Sequence, residues 1–294
     1  MNHFENRVAA ITGAASGLGR ELARLAALHR MRLALADVRR DALDVVVNEL
    51  KRTGAVVISD VVDVAQAAQV QRFAEHAFSA FGNVNLLINN AGVGGGGYVW
   101  ENTARDWQWV MGVNLMGVVH GVQHFVPRML QASQRGEPGH VVNTASVAGW
   151  LTAPLMGVYN VSKHAVVALS ETLHHDLKLA KSAIGVSVLC PAFVPTGIAQ
   201  SHSYRPAELL NVDELTASQM VAQAASEKAV ASGKITAERI AQLTFDAVRG
   251  NTFYVFTHPK ILASLRARFE AVLSGAAPAD PYEARPSARP AAPA

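Results

Sequence analysis

Tyr159 and Lys163 stand four positions apart in a stretch of helical periodicity, which puts a phenol and an ammonium on one helix face a single turn apart. A phenol beside a fixed cation can donate or accept a proton. Its reference pKa is about 10, so work near neutrality needs a shift of roughly 3 units, or about 4 kcal/mol. One unit charge about 4 Å away at an effective dielectric of about 20 supplies roughly that much. Such pairs also arise by chance on many helices, so this one gains meaning only from what accompanies it.

The company lies near the N-terminus. Residues 8–11 read as a short buried strand, and residues 12–19, Thr-Gly-Ala-Ala-Ser-Gly-Leu-Gly, turn into a helix in which Leu18, Leu22, Leu25 and Ala26 recur at helical spacing. Gly13, Gly17 and Gly19 therefore bring bare backbone to a helix N-terminus, where unpaired N–H groups and the positive dipole end attract a phosphate. The spacing is Gly-x-x-x-Gly-x-Gly and not Gly-x-Gly-x-x-Gly, so the dinucleotide fingerprint is matched in mechanism and not letter for letter. A second apolar run at residues 33–36 ends in Asp37, 18 positions beyond Gly19, where a carboxylate can accept from both hydroxyls of a ribose.

Taken with Asn89-Asn90-Ala91-Gly92, Asn114, Ser146 placed 13 residues before Tyr159, and Pro-Ala-Phe-Val-Pro-Thr at residues 191–196, these motifs resemble the short-chain dehydrogenase/reductase family in its shorter single-domain branch, over residues 4–260. The resemblance implies reversible hydride transfer between a nicotinamide cofactor and a secondary alcohol or its ketone. Tyr159 would be the general acid or base, and Lys163 would hold the nicotinamide-ribose hydroxyls and lower the tyrosine's pKa. Ser146 would hydrogen-bond the substrate oxygen. Asn114, inside an expected helix, would hold a structural water on a proton path from the lysine.

The same resemblance places Gly13, Ser16, Gly17, Leu18 and Gly19 in the phosphate turn and Asp63 and Val64 at the adenine. Asp63 alone reads as a helix cap. Asn90 would pack beside the adenosine ribose, and Val194 and Thr196 would meet the nicotinamide carboxamide. Pro191-Ala192 departs from the family's Pro-Gly, so an alanine at positive φ would be strained. Cofactor choice turns on Asp37 against Arg39 and Arg40. A 2′-phosphate beside Asp37 sets like charges together, whereas an arginine can pair with it. NAD is favoured over NADP, with the two arginines read as an exposed helix start.

Composition suits a soluble enzyme. Half of the 294 residues are hydrophobic and 17% are charged, as expected for a parallel sheet buried on both faces. The 26 basic and 23 acidic residues give +3, with no basic run of the kind nucleic acid or a membrane surface demands. The lone Cys190 sits in a strand-like run and excludes an internal disulfide. No signal peptide precedes the first strand and no apolar run reaches a span's length, so a cytoplasmic protein is expected.

Stepwise β-α punctuation then continues: helices at 41–53 and 66–81 flank a strand at 55–62, strands follow at 85–89, 140–144, 185–189 and 253–256, and helices at 102–131, 157–180 and 236–249. The expectation is an α/β fold: a doubly wound, Rossmann-type parallel sheet with helices on both faces, forming one domain over residues 1–274. Residues 197–235 break the rhythm, and by family analogy form a partly helical substrate lid. The last 20 residues carry five of the 12 prolines and eight alanines, which predicts a disordered tail at 275–294.

Several features carry less. His120 and His124 have metal-compatible spacing but no carboxylate or cysteine beside them, and no metal is expected. Residues 94–97 are four glycines, a loop near the cofactor's edge that either admits a bulky substrate or is simply mobile. Trp100, Trp107 and Trp109 suggest packing, whereas Trp150 is open between packing and a pocket wall. Relatives pair through helices matching 102–131 and 157–180, so a homodimer or homotetramer is expected, with a small-molecule alcohol or ketone as partner. Two alternatives stay open. An NAD-dependent lyase or epimerase of this fold usually spaces its glycines differently, and a non-catalytic redox sensor would have lost the four catalytic groups.

Overall fold

Val8–Thr12 (β1) consists of small and branched apolar residues that are buried along the whole strand, and alternate positions feed two cores. Ala9 and Ile11 join Leu22 and Phe245 on one side of the sheet, while Val8 and Ala10 join Phe73 and Phe125 on the other. This is a computed structural model, and it describes Met1 and residues 3–281.

The sheet continues with Arg32–Asp37 (β2), Val57–Val61 (β3), Leu86–Asn89 (β4), His140–Thr144 (β5), Gly185–Cys190 (β6) and Tyr254–Phe256 (β7). All described pairs are parallel, in the order β3-β2-β1-β4-β5-β6-β7, with Ile11 in register between Leu35 and Ile88. The order reverses between β1 and β4, so a crevice opens at their C-terminal ends, where such sheets bind ligands. Gly17–Leu28 (α1) and Arg40–Arg52 (α2) cover one face, and Ala67–Phe81 (α3) covers the other.

The expected helix at 102–131 is not one helix. Ala104–Met111 (α4) and Gly117–Ser133 (α5) are joined by a π-helical turn at Gly112–Met116, in which the Gly117 N–H bonds the Gly112 carbonyl five residues back. The cause is local packing. Asn114 is fully buried and its side chain is bonded to the Val93 backbone, while a Cβ on Gly117 would stand 2.7 Å from Val64 Cγ2. Gly157–Leu179 (α6) covers the sheet beside α5.

Residues 197–235 are partly helical as expected, with 3₁₀ turns at Gly197–Tyr204 and Ala207–Leu209 followed by Ala217–Ala231 (α7). Ala237–Gly250 (α8) packs on the α1 face. A helix not foreseen, Ile261–Ser274 (α9), has no buried residue, and Phe269 on it leans against Trp150. Residues 276–281 that follow form no helix or strand, and the remainder of the expected tail, 282–294, lies outside the described residues. Among the described residues no helix is long and apolar enough to cross a membrane.

Candidate active site

The glycine turn leaves the end of β1 and enters α1 through Ser16. Ser16 occupies the N-cap with an extended backbone, yet its side chain makes no cap bond, so the first N–H groups of α1 keep their capacity for a ligand. The turn is tight enough to require glycine. Gly13 has φ +67° and a Cβ there would stand 2.8 Å from Ala91 Cα, while a Cβ on Gly19 would overlap the Gly13 carbonyl oxygen. Asn90 fastens this turn to the next strand: its Nδ2 donates to the Thr12 carbonyl at 3.0 Å, and its N–H donates to Thr12 Oγ1 at 3.0 Å.

Asp37 closes β2 and is buried, with Oδ2 accepting from the Ala15 N–H and Oδ1 from the Arg39 N–H, each at 3.0 Å. The two arginines do not behave alike. Arg40 is exposed, but Arg39 folds back into the cleft, where its Nη2 donates to Ser16 Oγ at 2.6 Å and its Nε to Asp37 Oδ1 at 3.3 Å. Its guanidinium also lies 4.5 Å from the ring centre of Tyr204 and donates to that hydroxyl at 3.2 Å. Arg39 is the N-cap residue of α2, in an extended conformation, so its side chain is free to turn toward these acceptors and away from a helix face.

Asp63 corrects the expectation of a helix cap: the N-cap of α3 is Gln66, and Asp63 Oδ1 accepts from the Ala65 N–H in a turn before the helix. Ala192 is not among the positive-φ residues, so Pro-Ala carries no backbone strain there. Thr196 packs against the glycine turn, where a Cβ on Gly17 would stand 3.1 Å from its Cγ2.

At the other end of the crevice, Tyr159 and Lys163 lie on the first turns of α6, with Lys163 Nζ 5.7 Å from the tyrosine ring centre. Nζ donates to the Thr144 carbonyl at 2.9 Å. Ser146 follows β5 and caps the short 3₁₀ turn at Val147–Gly149, accepting from the Ala148 N–H at 3.1 Å and donating to the Pro191 carbonyl at 3.2 Å. Asn114 stands behind this wall. Its Oδ1 accepts from the Val93 N–H, and its Nδ2 donates to the Val93 carbonyl and to Ser162 Oγ, so both amide hydrogens are used within the protein. A single Gly92 lies against both groups: a Cβ there would stand 3.3 Å from Asn114 Oδ1 and 3.5 Å from Lys163 Nζ.

Burial pushes the Lys163 ammonium from its ordinary 10.5 down to about 8, leaving it mainly charged at neutral pH. Between those two values the unfolded chain binds more protons than the folded one, so this group's penalty is full below about pH 8 and is relieved as pH rises toward 10.5. The difference is about 3 kcal/mol at about 1.36 kcal/mol per unit. Urea unfolding of the cofactor-free protein and of Lys163→Met should therefore show wild type gaining on the variant across that window. A constant gap would mean the ammonium is solvated.

One cavity of about 540 Å³ joins both ends. Gly13, Ser16, Gly17, Leu18, Gly19, Asp37, Asp63, Val64, Asn90, Ser146, Tyr159, Lys163, Val194 and Thr196 all line it, and Asn114 alone of the expected residues does not. Arg39, weighed from the sequence for cofactor choice and read there as an exposed helix start, lines it as well, together with Tyr204, Asp106 and Arg205, which the sequence did not single out. The uncapped helix start, the glycine cradle and the buried carboxylate at the end of β2 fit a dinucleotide.

The sequence profile described as short chain dehydrogenase matches residues 7–206. The chain belongs to the short-chain dehydrogenase/reductase family. Its fold superposes with a TM-score of 0.94 on a short chain dehydrogenase/reductase from Burkholderia phymatum in complex with NAD, at 51% identity over 97% of this chain and 100% of that one. Two further relatives, each 33% identical, are a CLA biosynthesis dehydrogenase/reductase from Lactiplantibacillus plantarum, matched over 95% of this chain and 97% of the relative, and a C alpha-dehydrogenase from a Sphingobium species, over 97% and 92%. As a short-chain dehydrogenase/reductase, the protein is an oxidoreductase that uses a nicotinamide cofactor on alcohol and carbonyl groups of small molecules.

The remaining sequence expectations sort by packing. His120 is buried and its Nδ1 is bonded to the Val64 carbonyl. Trp109 lines the short-chain dehydrogenase cavity and so does more than pack, whereas Trp150 packs against Tyr254, Phe256 and Phe269. The glycines at 94–97 are held and close-packed: the Gly94 N–H donates to Ser201 Oγ, the Gly97 N–H to the Leu155 carbonyl, and a Cβ on Gly96 would stand 2.6 Å from Ala222 Cβ. Cys190 is buried at the end of β6, and burial pushes its thiol up to about 12.

Proposed function

We propose that this protein is an NAD-preferring dehydrogenase for a bulky, largely apolar secondary alcohol or the matching ketone, with Tyr159 as general acid and base. The observation that carries this is the meeting of Ser146, Tyr159 and Lys163 on the wall of the cavity that also contains the glycine turn. The cofactor, when bound, supplies or accepts the hydride. Tyr159 takes the hydroxyl proton in oxidation and returns it in reduction. Lys163 stabilises negative charge on the phenol oxygen and holds ribose hydroxyls. Ser146 turns its hydroxyl from the Pro191 carbonyl to the substrate oxygen. Asn114 acts by position, fixing Val93 and Ser162 around Lys163.

The apolar chamber beyond Tyr159, with Val93, Trp109, Leu151, Met156, Phe193 and Leu209, supports a bulky substrate. Residues 197–235 form its lid. Residence in the cytoplasm and pairing of copies through α5 and α6 belong to the same proposal, and exposed Val161 and Leu179 on α6 favour the second part. The decisive assay follows absorbance at 340 nm with a panel of secondary alcohols and ketones and both cofactors. Turnover of the larger apolar members is expected, and no turnover of any would leave only a nucleotide-binding module.

Preference for NAD rests on Asp37, whose carboxylate is fixed by backbone N–H groups, while Arg39 is already neutralised by it. A 2′-phosphate must displace that pairing and meet the buried carboxylate. We expect kcat/KM to favour NAD, and Asp37→Ala to shrink the preference by about tenfold or more, equivalent to about 1.4 kcal/mol. Equal use of both cofactors by wild type would overturn the assignment.

A further inference from the structure

Two carboxylates tie segment 205–219 to the chain around the start of α4: Glu101, which accepts from Thr216 Oγ1 and Ser218 Oγ, each at 2.6 Å, and the buried Asp106. Asp106, at the third position of α4, divides its oxygens between two tasks. Oδ2 serves the helix, accepting from the Thr103 N–H at 2.8 Å and from Thr103 Oγ1 at 3.0 Å in a capping box. Oδ1 serves residues about a hundred positions later: it accepts from Arg205 Nη1 at 2.6 Å and from Asn211 Nδ2 at 3.0 Å. Arg205 Nη2 completes the ring by donating to Asn211 Oδ1 at 3.3 Å, and Gln219 Nε2 on α7 approaches Oδ2 at 3.5 Å.

Capping α4 requires only the first set. Both members of the ion pair are about nine-tenths buried, with 10% of the Arg205 side chain and 11% of the Asp106 side chain exposed, and the guanidinium lies 5.2 Å from the ring centre of Trp109 in the chamber wall. Burial disfavours the charged form, but hydrogen bonds from Arg205, the Thr103 N–H and Asn211 together hold the Asp106 carboxyl below its ordinary value, so the pair is ionised at neutral pH. A buried pair of this kind is sensitive to loss of either partner, because the survivor is left charged without compensation. The preceding residue, Tyr204, turns the opposite way onto Arg39, so the segment is pinned at both ends of the cavity.

We infer that Asp106 and Arg205 are positioning residues that fix segment 205–219 as the wall of the substrate chamber and thereby set affinity for a bulky alcohol. This rests on the dehydrogenase function proposed above. Neither residue touches the reacting atoms, so the effect falls on substrate binding and not on the proton or hydride step.

Arg205→Met is the sharper variant, since it leaves the α4 cap intact and keeps an apolar stem over Trp109. It should raise KM for bulky alcohols by at least about tenfold while kcat and the dissociation constant of NAD stay within about twofold, with Arg205→Lys between the two. Hydrogen exchange in the cofactor-free protein gives a second readout that needs no turnover. The bonded amides of Leu209, Leu210, Gln219 and Met220 should exchange faster by about tenfold or more in Arg205→Met, and amides of β1 and β4 should not change. Unchanged exchange at 209–220, or a parallel loss of kcat and NAD affinity, would overturn the inference. If wild type turns over no alcohol, the dehydrogenase assignment fails, and the exchange experiment still decides whether the clasp holds the segment.

Discussion

Replacing Tyr159 with phenylalanine is expected to lower kcat by about 10² to 10⁴ while leaving NAD affinity within about twofold. The ring itself stays, so its packing on α6 and the approach of Lys163 Nζ to the ring are kept, and the hydroxyl alone is lost. Ser146 remains able to polarise the substrate oxygen, and this residual stabilisation sets the floor of the activity. Steady-state rates followed at 340 nm, with nucleotide affinity from fluorescence titration, separate the two effects. A variant with wild-type kcat would place the proton transfer elsewhere.

Alanine at Gly19 should act in the opposite way, removing cofactor binding before anything else. Its added methyl would overlap the Gly13 carbonyl oxygen and come within 2.7 Å of Asn90 Nδ2, the same amide that ties the turn to Thr12. Overpacking of this kind costs about 1–3 kcal/mol, which a domain of ordinary stability survives. The turn yields instead of the fold, and its N–H groups lose their aim at a pyrophosphate. NAD affinity should fall by about a hundredfold or more, roughly 2.7 kcal/mol, with the far-ultraviolet circular dichroism unchanged. Gly54→Ala is the control: the site is remote, nothing lies within 4 Å of the added Cβ, and only its φ of +85° is strained. Retained NAD affinity in Gly19→Ala would show that the turn does not receive the phosphates.

The sheet and the nucleotide end were legible in the sequence for physical reasons that differ. Strands such as β1, β4 and β6 are buried on both faces, so nearly every residue in them is apolar and the run itself marks them. The glycine turn announces itself because steric crowding excludes any side chain at Gly13 and Gly19. What the sequence hid depends on distant partners. Asp106 carries no mark of its own in the sequence, because its bond to Arg205 spans 99 positions. Arg39 reads as a helix-start arginine because Tyr204, its stacking partner, is 165 positions away. Residues 261–274 are rich in helix formers, but no apolar stripe is buried, so they lack the periodic signature that marked α2 and α8. The π-turn has no local mark at all, since it arises from Asn114 reaching Val93 and from Gly117 meeting Val64.

That turn also governs what mutational change this chain can accept. A π-turn fits one more residue than an α-turn into nearly the same rotation, so deleting one residue between Gly112 and Met116 would restore an uninterrupted α-helix with α5 still in phase, and would remove the bulge that carries Asn114 to Val93. Insertions and deletions should therefore accumulate in evolution at surface connections such as 134–139, while the length of the stretch from α4 to α5 stays fixed even where its residues drift.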